Sequence, residues 1–558
     1  MTDLVVGPLL RYVDDSSASV WVETDGPTTV RVVAGEHEAE TPTFAVHGHH
    51  YALVCLDGLP AATRAAYRVE LDGATVWPPP DSPFPDPMLI TLEPGKPLRM
   101  AFGSCRTSVT HDSRGNRSHG IDALRAYALR MAGLTDPSRE EDPDPGDEVR
   151  WPDLVLFLGD QVYADETTDE MREFIESRRD IHEPPGKELK DYQEYAELYR
   201  LAWTDPVNRW LLSTLPSAMI FDDHDIRDDW NTSQAWREEM EATDWWHDRI
   251  VSGLASYWVY QHLGNLSPAA RAQDEIWQRI QAGDDDLGEL LDSFADRVDQ
   301  HPETYRWSYT RDFDTQARLV VVDSRNARVL DPERRSLLDD EEMAWFDSQL
   351  VGGFDHLLIG SSLPFLLAAG LHHVEAFSEA MAGRAWGTKF AKVGEKARQT
   401  VDLEHWAAFQ DAFSRTCAMV GEVARGERGP APQTVTFLGG DVHHSYVSEA
   451  WPRTGMPFRS RVIQAVCSPI RNPLPYVMRF ATAFSSYGVA GPIGRLVSRS
   501  AKVPDPPWHW KYLGRPWFDN NLATLEVVPG GLHLWWAKGT IEDDEDRPVL
   551  VTVHDVTV

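Results

Sequence analysis

Two hydrophobic rhythms divide this chain. Up to about residue 95, apolar and polar positions alternate in short segments such as Ala18–Thr24, Thr29–Val33, Tyr51–Leu56 and Ala66–Leu71, with turn residues between them. That period and spacing predict antiparallel strands with one buried face, arranged as a sandwich. From Leu98 onward the runs become short and uniformly apolar: Met100–Gly103, Leu154–Leu158, Ala218–Phe221, Arg318–Asp323, His356–Gly360, Val435–Gly439 and Arg461–Val466. Runs of this kind predict strands covered on both faces. Helical periodicity lies between them at 187–203, 234–263, 340–350 and 402–424, and strands return at Ala523–Val528, Leu532–Ala537 and Val549–His554. The fold expected is α/β, with an immunoglobulin-like β-sandwich over 1–95 and a two-sheet α/β/β/α sandwich over 96–558. The Pro-rich stretch Trp77–Pro87 marks the boundary, and Asp136–Asp147, rich in acid and Pro, reads as a loop.

Composition narrows the partners. Of 558 residues, 53 are Lys or Arg and 88 are Asp or Glu, a formal charge of −35. Stable nucleic-acid binding is therefore not expected, and an anionic substrate would need local positive charge, which bound cations would supply. No apolar run is long enough for a transmembrane helix, and neither a signal peptide nor a twin-Arg leader precedes Leu4. A cytoplasmic location is expected. The 4 cysteines are widely spaced, and Cys55, Cys417 and Cys467 lie in apolar runs that suit buried thiols.

Four of the apolar runs end in metal-binding residue types: Gly103-Ser104-Cys105-Arg106, Gly159-Asp160-Gln161-Val162-Tyr163, Asp222-Asp223-His224-Asp225 and Gly440-Asp441-Val442-His443-His444. Loops at strand ends converge on one sheet edge, so these residues are expected to assemble one site. Asp160 can bridge two cations through its two oxygens, and Tyr163 favours a hard trivalent ion such as Fe(III). Cys105 offers a thiolate, helped by Arg106. The carboxylates around His224 repel one another unless a cation neutralises them. Asp223 is the expected ligand there, and His224 would protonate a leaving group or hold a phosphoryl oxygen. Asp441 and His443, two apart in an extended segment, supply two more ligands, leaving His444 to turn elsewhere. Arg325 could grip a phosphate or form a structural ion pair with an Asp. The basic, aromatic stretch 475–515, whose one acid is Asp505, reads as a packed loop or as a substrate collar.

These four motifs, in this order, resemble the PhoD-like alkaline phosphatase and phosphodiesterase family of calcineurin-like metallophosphoesterases. The resemblance implies an N-terminal immunoglobulin-like domain, an Fe(III) bound by Cys105, Asp160 and Tyr163, and calcium or another divalent ion as the second metal. It matches Asp223 to a ligand Asn, His224 to the catalytic His, and Asp441 and His443 to a late His-x-His pair. The chain departs from the pattern at Phe221 and Asp225, where relatives often have Trp and Glu, and at Asp228-Asp229, where Asn is common. A further His ligand is expected before the late pair, with His262, His372 and His373 as candidates.

The function expected is hydrolysis of small phosphomonoesters or phosphodiesters by a hydroxide held between two metal ions. His224 is the catalytic residue; Cys105, Asp160, Tyr163, Asp223, Asp441 and His443 are the ligands; Arg106, Arg325 and His444 contact substrate. Two other readings use the same residues. One is a non-catalytic calcium-dependent binding protein. The other is a thiol hydrolase with Cys105 as nucleophile and His224 or His443 as base.

Overall fold

The computed structural model describes residues 2–135, 150–382, 404–474, 490–542 and 544–558. The expected loop at Asp136–Asp147 therefore lies outside the described residues. Nine strands come first: β1 (Leu4–Val13), β2 (Ser17–Thr24), β3 (Thr29–Ala34), β4 (His37–Pro42), β5 (Phe44–Val46), β6 (His49–Asp57), β7 (Arg64–Leu71), β8 (Ala74–Trp77) and β9 (Met88–Ile90). They pair antiparallel in two sheets, β1-β2-β6-β5 and β4-β3-β7-β8 with β9 beside β7. Val20, Val22, Ala52 and Val54 from the first sheet meet Val30, Val32, Val69 and Leu71 from the second in one core.

The alternation in β2 predicted one solvent face, yet all eight of its positions are buried. The outer face of the sheet rests on the larger part of the chain. Trp21, Tyr51 and Leu53 join its core, and the Trp21 ring lies 5.2 Å from that of Tyr260.

The next strands, β10 (Arg99–Gly103), β11 (Leu154–Leu158) and β12 (Ser217–Ile220), run parallel. A second sheet follows, made of β13 (Tyr309–Phe313), β14 (Ala317–Val322), β15 (His356–Ser361), β16 (Thr434–Gly439), β17 (Tyr446–Pro452), β18 (Arg461–Val466) and β19 (Trp508–Tyr512), in the order β13-β14-β15-β16-β18-β17-β19. Finally β20 (Leu522–Val528), β21 (Gly531–Thr540) and β22 (Val549–Thr557) extend the first sheet, giving β12-β11-β10-β20-β21-β22. The uniformly apolar runs are covered on both faces, as expected. Leu319, Val321, Leu358 and Leu438 pack toward the first sheet with Leu156 and Leu158. Their neighbours Val320, Val322, Leu357, Ile359 and Phe437 pack against Phe346, Phe413 and Val420 on helices.

The helix expected over 234–263 is broken into Gln234–Glu241, Trp246–Tyr257 and a π-helical turn, Trp258–His262. The expected 187–203 helix begins at Tyr192, capped by Asp191. Asp340–Gln349 matches its expectation, and Gln410–Arg425 covers the later part of 402–424.

Candidate metal centre

The carboxyl ends of β10, β11, β12 and β16 converge, and two glycines permit it. A Cβ on Gly159 would stand 2.5 Å from Asp222 Cβ, and one on Gly440 would stand 2.4 Å from Ser104 Oγ. The loops are then stitched by backbone bonds. Cys105 N–H donates to the Gly159 carbonyl at 3.2 Å, and Arg106 N–H to the Asp160 carbonyl at 3.0 Å. Asp225, one of the departures from the family pattern, accepts from the backbone N–H of both Asp160 and Asp222 at 2.9 Å.

Cys105, Asp160, Asp441 and His443 all have positive φ, at 59°, 51°, 63° and 50°. Residues with side chains pay for this backbone region with strain, which persists where surrounding structure enforces it and which clusters at functional sites.

Beside a more exposed group of Asp223, His224 and Asp228, two deeper donor sets result, each with ligand atoms within 4.8 Å of one another: Cys105, Asp160 and His443, and Asp160, Asp222, Asp223 and Asp441. Asp160 belongs to both. Among the described residues, neither of its buried carboxylate oxygens has a hydrogen-bond partner. Burial pushes its pKa up; nearby His224 opposes this, and Asp222, Asp223 and Asp225 add to it. Burial likewise drives Cys105 well up, with Asp160 and Asp441 adding to the effect. Its sulfur shares a hydrogen bond with the Ser104 hydroxyl at 3.1 Å and accepts from the Ser468 hydroxyl at 3.2 Å. Tyr163 is buried against His224, ring centroids 4.7 Å apart. Unsatisfied buried oxygens, crowded acids and a thiol form a donor set that fits bound metal, and it is costly without it.

His224 Nδ1 donates to Asp165 at 2.9 Å, and its Nε2 lies 3.9 Å from the exposed Asp228 carboxylate. Burial lowers the His224 pKa, but Asp165 and Asp223 outweigh it and hold the ring well above its ordinary value.

The expected substrate contacts fare differently. Arg106 is buried and commits Nε and Nη2 to Asp122 at 3.0 and 2.8 Å and Nη1 to the Ala202 carbonyl at 3.0 Å. These contacts turn its guanidinium toward Asp122 and Ala202 inside the fold. Arg325 is fully buried and pairs with Asp222, with Asp223 at 3.2 Å and with Glu404 at 2.5 Å. Of its two readings, the ion pair is the one formed. His444 Nδ1 donates to the Val442 carbonyl at 2.7 Å, and the ring stacks on Tyr446 and Phe518.

None of the three histidine candidates joins either donor set. His262 sits among Tyr257, Tyr305 and Trp307, His372 against Phe413 and Trp510, and His373 beside Ser498. Sequence reasoning missed His405, whose Nε2 meets Asp441 Oδ2 at 2.9 Å and whose Nδ1 meets Glu375 at 2.7 Å. Its signal was the pair Glu404-His405 ahead of the Trp406–Ala408 turn. It gave no individual role to Asp165 or Asp222. Of the stretch 475–515, residues 475–489 lie outside the described residues; beyond them Asp505 is paired with Arg495 and Arg499.

Residues 147–478 match the family described as PhoD-like phosphatase, and residues 1–89 match a domain of unknown function, DUF7800. No curated protein matches the chain. Among solved structures, one described as the structure of PhoD aligns at a TM-score of 0.59 and 13% identity, covering 98% of this chain and 88% of that one. A type III pullulan hydrolase from Thermococcus kodakarensis, 10% identical with 96% and 94% of the two chains covered, reaches a TM-score of only 0.13, which carries no argument.

Proposed function

The chain belongs to the PhoD-like phosphatase family and is a phosphoesterase hydrolase, and on that premise we propose that it cleaves small phosphomonoesters or phosphodiesters at a two-cation centre. The supporting observation is Asp160, shared by both donor sets with neither oxygen satisfied. Cys105, Tyr163, Asp160 and His443 would hold a hard ion such as Fe(III); Asp160, Asp223 and Asp441 would hold calcium or another divalent ion. The pair would polarise a phosphoryl oxygen and acidify a water.

The protein's own residues do the rest. Asp165 holds the His224 ring so that Nε2 is directed away from Asp165, free to give a proton to a departing alkoxide. The raised His224 pKa suits an acid. His405, held by Glu375, orients Asp441 from behind, as partners of metal ligands do. Arg325 offsets the charge of Asp222 and Asp223. Cys105 without a cation would be a poor nucleophile, because burial and two nearby acids disfavour its thiolate. We further read residues 1–95 as an immunoglobulin-like module and 96–558 as an α/β/β/α catalytic unit, the module serving as a buttress against β12 and the helices behind it.

Elemental analysis of purified protein, paired with hydrolysis of a nitrophenyl monoester and a bis-nitrophenyl diester, tests the proposal. Iron near one per chain with a second cation, both diminished in Asp160→Asn together with turnover, is the expected result. Undiminished hydrolysis in Asp160→Asn would overturn it.

A further inference from the structure

At the opposite ends of the central strands, a cavity of about 200 Å³ opens where the N-terminal sheets meet the larger unit. Arg64, Lys96, Arg99 and Arg150 line it, against only Asp153 and Glu526 among its acidic residues. In a chain of formal charge −35, this excess of cations stands out. Both acids are already engaged. Asp153 takes Lys96 Nζ at 2.7 Å and the Arg99 backbone N–H at 3.0 Å, and Glu526 takes Arg150 at 3.1 Å.

The two remaining guanidinium groups are held by aromatic faces rather than by acceptors. Arg64 lies over Trp151 at 5.4 Å and Arg99 over Trp535 at 5.8 Å. Among the described residues neither pairs with a carboxylate, and Arg99 Nε is buried without a hydrogen-bond partner. Stacking fixes the plane of a guanidinium but leaves its N–H edge unused, and that edge is suited to bidentate contact with an oxyanion.

We propose that this cavity is a binding site for a small tetrahedral dianion of the phosphate or sulfate class, gripped by Arg64 and Arg99 with Lys96 at its rim. Arg99 opens β10 and Cys105 follows its other end, so at about 3.3 Å per residue the site lies on the order of 20 Å from the metal centre. It is a second anion site, remote from the first. Because Arg64 belongs to β7 and Arg99 to β10, an occupying anion would also tie the N-terminal sheets to the catalytic strands.

Calorimetric titration of the chelator-treated full-length protein with inorganic phosphate, and separately with sulfate, tests this at constant ionic strength against chloride. Chelation removes the phosphate affinity that bound cations would add. Saturable binding near one phosphate or sulfate per chain is expected, weakened at least tenfold in Arg64→Gln and in Arg99→Gln. Arg64 is exposed, so its variant should fold as the parent does and hydrolyse phosphoesters at the parental rate once metal is restored. Absence of saturable binding, or binding unchanged in both variants, would overturn the site. Neither outcome depends on whether the metal centre hydrolyses phosphoesters.

Discussion

Arg11, where the N-terminal sheets meet the larger unit, and Asp160, at the end of β11, are both fully buried charged side chains, yet their surroundings differ in kind. Arg11 donates to the Tyr260 and Gln261 carbonyls at 2.7 and 2.6 Å and lies 3.4 Å from the Ser217 carbonyl and the Asn265 side chain. Asp160 has no donor to either oxygen among the described residues, sits on a left-handed backbone and is ringed by further acids. A buried charge whose hydrogen bonds are complete holds structure together. One left incomplete, on strained backbone, is waiting for something the chain does not contain. The contrast separates scaffold from site without reference to any motif.

The largest effect that could break this contrast is expected at Asp160. Asp160→Asn should abolish metal retention and reduce phosphoester hydrolysis to background. In chelator the variant should melt no lower than the parent, because it removes a charge that the metal-free fold fails to satisfy. A large drop in Tm for metal-free Asp160→Asn would mean that the carboxylate is structural after all. His224→Ala comes next, with a loss of about 10²–10⁴-fold in turnover for esters with alkoxide leaving groups. The loss should shrink for nitrophenolate, which departs without a proton, and steady-state rates on the two ester types check it. Asp165→Asn, which acts only through the His224 ring, should cost about 10–100-fold and show the same leaving-group bias, so equal losses on both esters would detach it from His224.

The convergence of the four motifs was legible because each closes a strand, and strand ends are fixed by short apolar runs that the sequence displays directly. His405 was not, since its two partners, Asp441 and Glu375 on the helix Ala369–Ala382, are each thirty or more residues away in sequence and leave no local pattern. Arg325 was ambiguous for a similar reason: only the fold brings it within reach of Asp222, 103 residues earlier. Proximity of Arg106 to Cys105 in sequence likewise says nothing of Asp122, with which its side chain pairs. The same limit applies to the fold. Alternation in β2 revealed a strand but hid its second buried face, because the rings that cover it, Tyr260 foremost, come more than two hundred residues later.

Arg11→Met tests the scaffold side. The substitution leaves carbonyls of the π-helical turn unsatisfied and should destabilise the protein by about 3 kcal/mol, while hydrolysis per folded, metal-loaded molecule stays at the parental level. Denaturant unfolding alongside rate measurement checks both halves. A loss of turnover without a loss of stability would place Arg11 in communication with the centre and erase the contrast.

The smallest and most selective effect concerns His262, next to the carbonyls that Arg11 holds. Burial lowers its pKa to about 3, with Arg11 contributing, from an ordinary 6.5. In the unfolded chain the ring takes up its proton below about pH 6.5, whereas in the folded protein it resists doing so until about pH 3. Between those values acidification therefore favours the unfolded state. This contribution to stability is fully present above pH 6.5 and is lost progressively as pH falls toward 3. His262→Phe, placed among Tyr257, Tyr305 and Trp307, should flatten the acid side of the stability profile without changing stability near pH 8 by a comparable amount. In an Arg11→Met background the folded ring is relieved of one positive neighbour, so the same substitution should flatten the profile less. If the acid-side slope is identical in parent and His262→Phe, the ring is not the group that titrates, and its burial among aromatics carries no acid penalty.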